Sequence, residues 1–204
     1  MPKDSDIYKD QLIQIWMALG FLLGDGNALM EYIGNEYFDI LLSNSLLQDV
    51  EKDIFGNVTK CKMHDLVHDL ALDVSTDYSA TVKPSQVFNK VSKAIHVRLK
   101  GFKDVKPNVF KAQLETVKAL YAEAYVSKVV LPNLKHLRVL VLHSFFKELP
   151  SSIGNLKYLK HLDISDSLDY RSSYKLPDFI TRLYSLQTLR IWFRHELPKR
   201  FATL

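Results

Sequence analysis

The feature that most constrains this chain is a repeat in its carboxy-terminal half. The segments LKHLRVLVLHSFFKELPSSIGN (134–155), LKYLKHLDISDSLDYRSSYKLPDFITR (156–182) and LYSLQTLRIWFRHELPKRFATL (183–204) each place Leu at their first and fourth positions and follow it with a Leu-x-Leu or Leu-x-Ile pair. Each then carries Leu-Pro, at Leu149-Pro150, Leu176-Pro177 and Leu197-Pro198. Two fainter copies precede them, one with Leu114, Val117, Leu120 and Ala122, the other with Val91, Ala94, Val97 and Leu99, which makes about five units. A single such unit cannot bury its own leucines, so neighbours must stack along one axis.

Unit lengths of 22, 27 and 22 residues match the range of leucine-rich repeats. In that architecture the leucines fill the core and the residues between them form strands on one concave face. The face would display Arg138, Val139, Val141 and His143, then Lys160, His161, Asp163 and Ser165, then Gln187, Thr188, Arg190, Trp192 and Phe193. Of these, Arg138, His143, His161, Asp163, Arg190, Trp192 and Phe193 are the candidates for binding a protein partner. For Trp192 and Phe193, packing against a following repeat explains the residues as well as a partner does. The asparagine that many such repeats place after the Leu-x-Leu pair is replaced by Phe145, Ser167 and Arg194, so the backbone there needs other hydrogen-bond partners and the stack is expected to be irregular.

The first part of the chain has a different periodicity. Leu12, Ile13, Trp16, Met17 and residues 19–21 suit a buried helix that stops at the GDGN turn, Gly24 to Asn27. A second helix spans about 28–42, with Leu29, Ile33, Tyr37, Ile40 and Leu41 on its apolar side. SLLQDV and NVTKCKM then read as two strands around a loop containing Phe55, Gly56 and Asn57. Helices with one hairpin describe a small winged-helix domain. The expected fold is therefore an α+β winged-helix domain over 1–80, followed over 81–204 by an α/β leucine-rich-repeat solenoid cut short at both ends.

Charge separates the same two regions. Residues 11–51 contain six acids and no Lys or Arg, a balance of −6, whereas residues 52–204 hold 25 bases and 14 acids, a balance of +11. Winged helices that read DNA put Arg, Lys or Asn in the major groove against a field of phosphates. The second helix offers Glu31, Glu36 and Asp39 and no base, so DNA reading is not expected. The longest apolar run, residues 15–23, is far short of the roughly 20 residues that span a bilayer. No signal or transit peptide is visible at the start. A single cysteine, Cys61, excludes an internal disulfide and suits a cytoplasmic location.

Between the two regions lies CKMHDLVHDLALDVS, residues 61–75. Met63, Leu66, Val67, Leu70 and Val74 fall on one helical stripe, which is expected to be buried. His64 and His68 stand one turn apart, each followed by Asp. Three readings compete. HDLVH resembles the zinc motif H-E-x-x-H, but Asp65 replaces the Glu and no third ligand follows at a suitable spacing, the next imidazole being His96. Alternatively the His and Asp residues are a polar helix flank, solvated or hydrogen-bonded within the fold, and His68 and Asp69 are assigned there. Finally, His64 and Asp65 stand where a strand becomes a helix, and helix starts attract phosphate.

LIQIWMALGFL, SLLQDV, CKMHDLVHDLA and the Leu-Pro-bearing repeats, in that order, resemble the winged-helix part of the nucleotide-binding domain of plant nucleotide-binding leucine-rich-repeat (NB-ARC-LRR) disease resistance proteins and the start of their repeat domain. The resemblance implies that Met63, His64 and Asp65 are the Met-His-Asp motif. In that family the motif closes over bound ADP and holds an inactive state, which exchange for ATP releases. His64 would be the ADP sensor, Asp65 its structural partner and Met63 a packing residue.

The cofactor of the family is thus ADP or ATP. None is expected for this chain alone, because the phosphate loop lies upstream in the family and none of the seven glycines here is followed by Lys. For the same reason no enzymatic activity is expected. The repeats would recognise a pathogen effector, a guarded host protein or a full-length resistance protein, or would restrain the switch. The other reading is a stand-alone repeat module that acts as a decoy or regulator of full-length relatives.

Overall fold

The computed structural model describes residues 3–23, 29–83, 93–100, 104–105, 114–123, 125–126, 131–143, 149–165 and 176–191. The chain divides into two compact units, Met1–Thr76 and Asp77–Leu204.

The first unit runs β1 (Ile7–Tyr8), α1 (Lys9–Leu19), α2 (Met30–Ser43), β2 (Leu47–Lys52), β3 (Val58–Met63) and α3 (Asp65–Val74). Its sheet has the order β1-β3-β2, with β3 antiparallel to both neighbours. β1 is too short to announce itself in the sequence. α1 ends at Gly20, ahead of the expected turn at 24–27, which lies outside the described residues. Gly20 adopts φ 78, and its N–H reaches the carbonyls of Trp16 and Met17, a left-handed cap that glycine adopts without the steric cost of a side chain.

α2 is rotated from the expected orientation. Ile33, Gly34 and Phe38 face inward and Leu41 packs beside the core, while Leu29, Tyr37 and Ile40 are exposed. Gly34 explains the rotation. A Cβ placed there would collide with the Ile13 side chain, so α1 makes its close approach along the line that glycine opens. Ile7, Phe38, Leu47 and Cys61 form a core cluster of this unit, lined by Leu12, Trp16, Leu41 and Met63 among others.

The hairpin is held at its tip and across its strands. At its tip Asp53 Oδ1 accepts the N–H groups of Phe55 (2.8 Å) and Asn57 (2.9 Å), which pulls its carboxyl below the usual carboxylate range, the Asn57 N–H contributing most. Along its strands Lys60 Nζ stands 2.8 Å from Glu51, its cross-strand neighbour, and 3.2 Å from Asp6. Those two acids raise the ammonium to about 12.

The second unit is built on a six-stranded sheet in the order β11-β10-β9-β7-β5-β4, every neighbouring pair parallel. The strands are β4 (Ser79–Val82), β5 (His96–Leu99), β7 (Ala119–Ala122), β9 (Val139–Leu142), β10 (His161–Asp163) and β11 (Thr188–Arg190). A separate parallel pair is formed by β6 (Asp104–Val105) and β8 (Tyr125–Val126). Five of the six sheet strands coincide with the five repeat units. β4 adds an edge that the sequence pattern does not mark, and it places residues 79–80 in this unit.

The register repeats from unit to unit. Ala119, Val139, His161 and Thr188 each donate a backbone hydrogen bond to the preceding strand, to the carbonyls of Ile95, Lys118, Arg138 and Lys160. The expected leucines fill the interior: Leu134, Leu137, Leu140, Leu142, Leu156, Leu159, Leu162 and Ile164 are buried, and Leu186, Leu189 and Ile191 pack against them from the edge. Each Leu-Pro of the first two full repeats leads into a 3-10 turn, Ser151–Asn155 after Pro150 and Asp178–Arg182 after Pro177. Proline suits that place because its fixed φ favours a helical start and its missing N–H would have had no partner. Val91, Leu197-Pro198 and the three residues at the asparagine position, Phe145, Ser167 and Arg194, lie outside the described residues.

Candidate functional site

β3 delivers the chain to the start of α3. Met63 pairs with Leu47 and packs on the winged core, and His64 N–H donates to the carbonyl of Leu46 at 3.0 Å. His64 is extended (φ −60, ψ 139) and caps the helix: its Nδ1 accepts the N–H of Leu66 at 3.2 Å, and its carbonyl accepts the N–H of His68 at 2.9 Å.

A ring nitrogen that accepts from a backbone amide carries no proton. The tautomer assigned by this hydrogen bond therefore holds its proton on Nε2. The half-buried imidazole thus keeps one N–H donor, on Nε2, that the cap does not use. The N–H of Leu66, by contrast, is already used by the cap. Asp65 is exposed in the first turn of α3, where its charge complements the helix dipole.

The rest of α3 corrects the sequence reading. Of the stripe expected to be buried, Leu66, Leu70 and Val74 are exposed. The side turned inward carries Val67, His68 and Ala71, and His68, assigned to a polar flank, is the buried residue of the helix. Apolar residues cover about half the circumference of α3, and the packing uses only one edge of that arc. Asp69 is exposed and bonded to Lys3 at 3.1 Å, with the His68 Nδ1 3.3 Å from its other oxygen. Lys3 and His68 together lower the Asp69 carboxyl, Lys3 contributing most, and Asp69 raises Lys3. Lys3 is the partner that sequence spacing could not reveal, since 66 residues separate the two.

The two imidazoles of HDLVH therefore differ in environment. One caps the helix from a half-exposed position, and the other is buried one turn on. Among the described residues no three His, Cys, Asp or Glu side chains group as metal ligands would.

Residues 1–71 match the family described as "Disease resistance protein Winged helix domain". The chain belongs to the plant disease resistance proteins. It is 33% identical to "Putative disease resistance protein RGA1" of Solanum bulbocastanum over 84% of its own length and 15% of that protein. It is 39% identical to "Disease resistance protein RGA2" of the same species over 76% of its length and 14% of that protein. A similar relation, 30% identity over 92% of this chain and 18% of the relative, holds for "Putative disease resistance RPP13-like protein 1" of Arabidopsis thaliana. The chain thus spans less than a fifth of these disease resistance proteins.

The second candidate surface, on the repeat unit, is less open than expected. His161 and Asp163 lie on one side of β10, but they are 0% and 2% exposed, a correction to their expected display. Asp163 Oδ1 accepts from Ser165 N–H at 3.0 Å and Ser165 Oγ at 2.6 Å. Arg190 Nε stands 3.0 Å from Asp163 Oδ2, an ion pair by distance whose N–H is not aimed along the contact.

Among the described residues neither ring nitrogen of His161 has a hydrogen-bond partner. Burial, with Arg190 adding to it and Asp163 opposing, lowers its imidazole to about 4. Arg138 and Arg190 are half-buried and His143 is exposed, whereas Trp192 and Phe193 lie outside the described residues. No helix among the described residues is long and apolar enough to cross a membrane.

Proposed function

We propose that the chain is part of a nucleotide-gated immune receptor, in which His64 senses ADP and Asp65 holds the helix start that carries it. One observation above all supports this reading. His64 spends Nδ1 on capping α3 and keeps Nε2–H as a donor directed away from the cap, which is what a phosphate sensor at a helix start requires. When bound, the nucleotide supplies the negative charge that this donor answers. Met63 anchors the strand beneath it through the core.

A hydrogen bond to a charged group is worth roughly 1.5–3 kcal/mol, enough to shift a two-state switch by about ten- to a hundredfold. It is small beside the contacts of a phosphate loop, so residues 1–204 alone should bind no ADP measurably and carry no catalysis of their own. The parallel sheet and its Leu-Pro turns we read as a leucine-rich-repeat solenoid, acting in the cytoplasm on a protein: an effector, a guarded host protein or another resistance protein.

The test places residues 1–204 in a longer chain with an upstream phosphate loop. His64→Ala and Asp65→Val should give signalling without a pathogen and faster ADP release, and His68→Ala should not. Equal effects of the two His substitutions, or tight ADP binding by the 204-residue chain, would overturn the assignment.

A further inference from the structure

α3 presents a second feature that does not depend on the nucleotide reading. Leu66, Leu70 and Val74 are 75%, 62% and 67% exposed, and at i, i+4 and i+8 they form one continuous stripe. Beside it, one residue earlier in each turn, run Asp65, Asp69 and Asp73. The helix contains no Lys or Arg. Asp69 is engaged by Lys3, while Asp65 and Asp73 form no ion pair among the described residues. An apolar stripe edged by carboxylates, Asp73 and Asp65 without an ion-pair partner among the described residues although Lys3 lies near enough to Asp65 to feel its charge, is complementary to an apolar stripe edged by cations.

We propose that this face docks a basic amphipathic helix of a protein partner. Its apolar residues seat on Leu66, Leu70 and Val74, and its Lys or Arg side chains meet Asp65 and Asp73. The acidic ridge decides among occupants. It repels an anionic membrane and nucleic acid. In a second copy it would bring carboxylates toward carboxylates, since that copy's α3 carries the same ridge. A purely apolar segment would desolvate the two carboxylates without pairing them. Three turns of partner helix match the ten residues of α3, about 15 Å long.

The experiment uses the whole 204-residue chain and two fluorescein-labelled synthetic 18-residue helical peptides. Both carry Leu at i, i+3, i+4 and i+7; one is flanked by Lys and the other by Glu. Fluorescence anisotropy should show the Lys peptide binding at least about tenfold more tightly, with affinity falling as salt is raised. Leu70→Ser should weaken it by about tenfold or more at an unchanged thermal midpoint. Should that midpoint drop, Asp73→Lys carries the test, and it should reduce the preference for the Lys peptide. The proposal is overturned by equal affinity for the two peptides or by unchanged binding in the Leu70→Ser and Asp73→Lys variants. It is equally overturned by Leu70-dependent self-association in sizing chromatography without peptide, or by binding to phosphatidylserine vesicles in preference to the Lys peptide.

Discussion

In the repeat unit Leu140, Leu142, Leu159 and Leu162 are at most 1% exposed, whereas in α3 of the winged unit Leu66 and Leu70 are 75% and 62% exposed. The same residue type, at equally regular spacing, meets opposite environments. In the repeats each leucine is fixed by the next copy of the same pattern: the register His96, Ala119, Val139, His161 and Thr188 is set strand by strand, and all the leucines must turn inward together. α3 has no second copy to fix its rotation. A helix whose apolar arc is broader than the surface it packs on can settle at several angles, and here Val67, His68 and Ala71 take the inner side.

The largest expected effect would break this contrast if it failed. Leu162→Ala should cost the repeat unit about 2–5 kcal/mol, while Leu70→Ala should change the winged unit by no more than about 0.5 kcal/mol. Chemical denaturation followed separately in the two units would compare them, and similar costs would show that α3 is packed after all.

Acid should act next, and on the repeat unit. The folded His161 titrates near 4 against about 6.5 in the unfolded chain. Between these values the unfolded chain binds the extra proton, so the stability contributed by neutral His161 is complete above about pH 6.5 and is lost as pH falls toward 4. The loss is on the order of 3 kcal/mol, at about 1.4 kcal/mol for each pH unit. His96 is lowered in the same direction by burial and by Lys118. His161→Asn, which cannot titrate, should flatten the profile of the repeat unit between pH 6.5 and 4.

A smaller effect belongs to the contact between α1 and α2. Gly34→Ala should destabilise the winged unit by about 1–3 kcal/mol, because the added Cβ meets Ile13, and it should leave the repeat unit's transition where it was. The smallest effect is at the cap. His64→Ala should cost about 1 kcal/mol, and His64→Asn should recover most of that, since a shorter acceptor can still cap α3. In a nucleotide-binding context His64→Asn should still lose ADP retention, and that divergence separates the cap from the sensor.

Much of the fold could be read from the sequence where patterns recur. The repeat strands follow from their leucines, and the hairpin from its residues around Gly56. Elements fixed by a single distant contact could not: β1 is held by β3, and the rotation of α2 by one glycine against Ile13. At the site, the strand-to-helix position of His64 was legible and its use as a cap was not, because a side-chain rotamer decides which ring nitrogen meets Leu66 N–H. His68 is buried and not on the expected polar flank, because histidine on the edge of an apolar stripe gives no sign of which way the helix will roll. On the sheet, the pleat correctly put His161 and Asp163 on one side, but alternation says nothing of burial.

His64 caps α3 through Nδ1, which leaves Nε2–H as its donor. Long-range proton–nitrogen NMR correlation of the imidazoles in the nitrogen-15-labelled 204-residue chain, at a pH where the ring is neutral, tests it directly. His64 should show an unprotonated Nδ1 and a protonated Nε2, a pattern that Leu66→Pro, which removes the N–H, would loosen. A protonated Nδ1 at His64 in the native chain would contradict the cap, and with it the donor on which the sensing role depends.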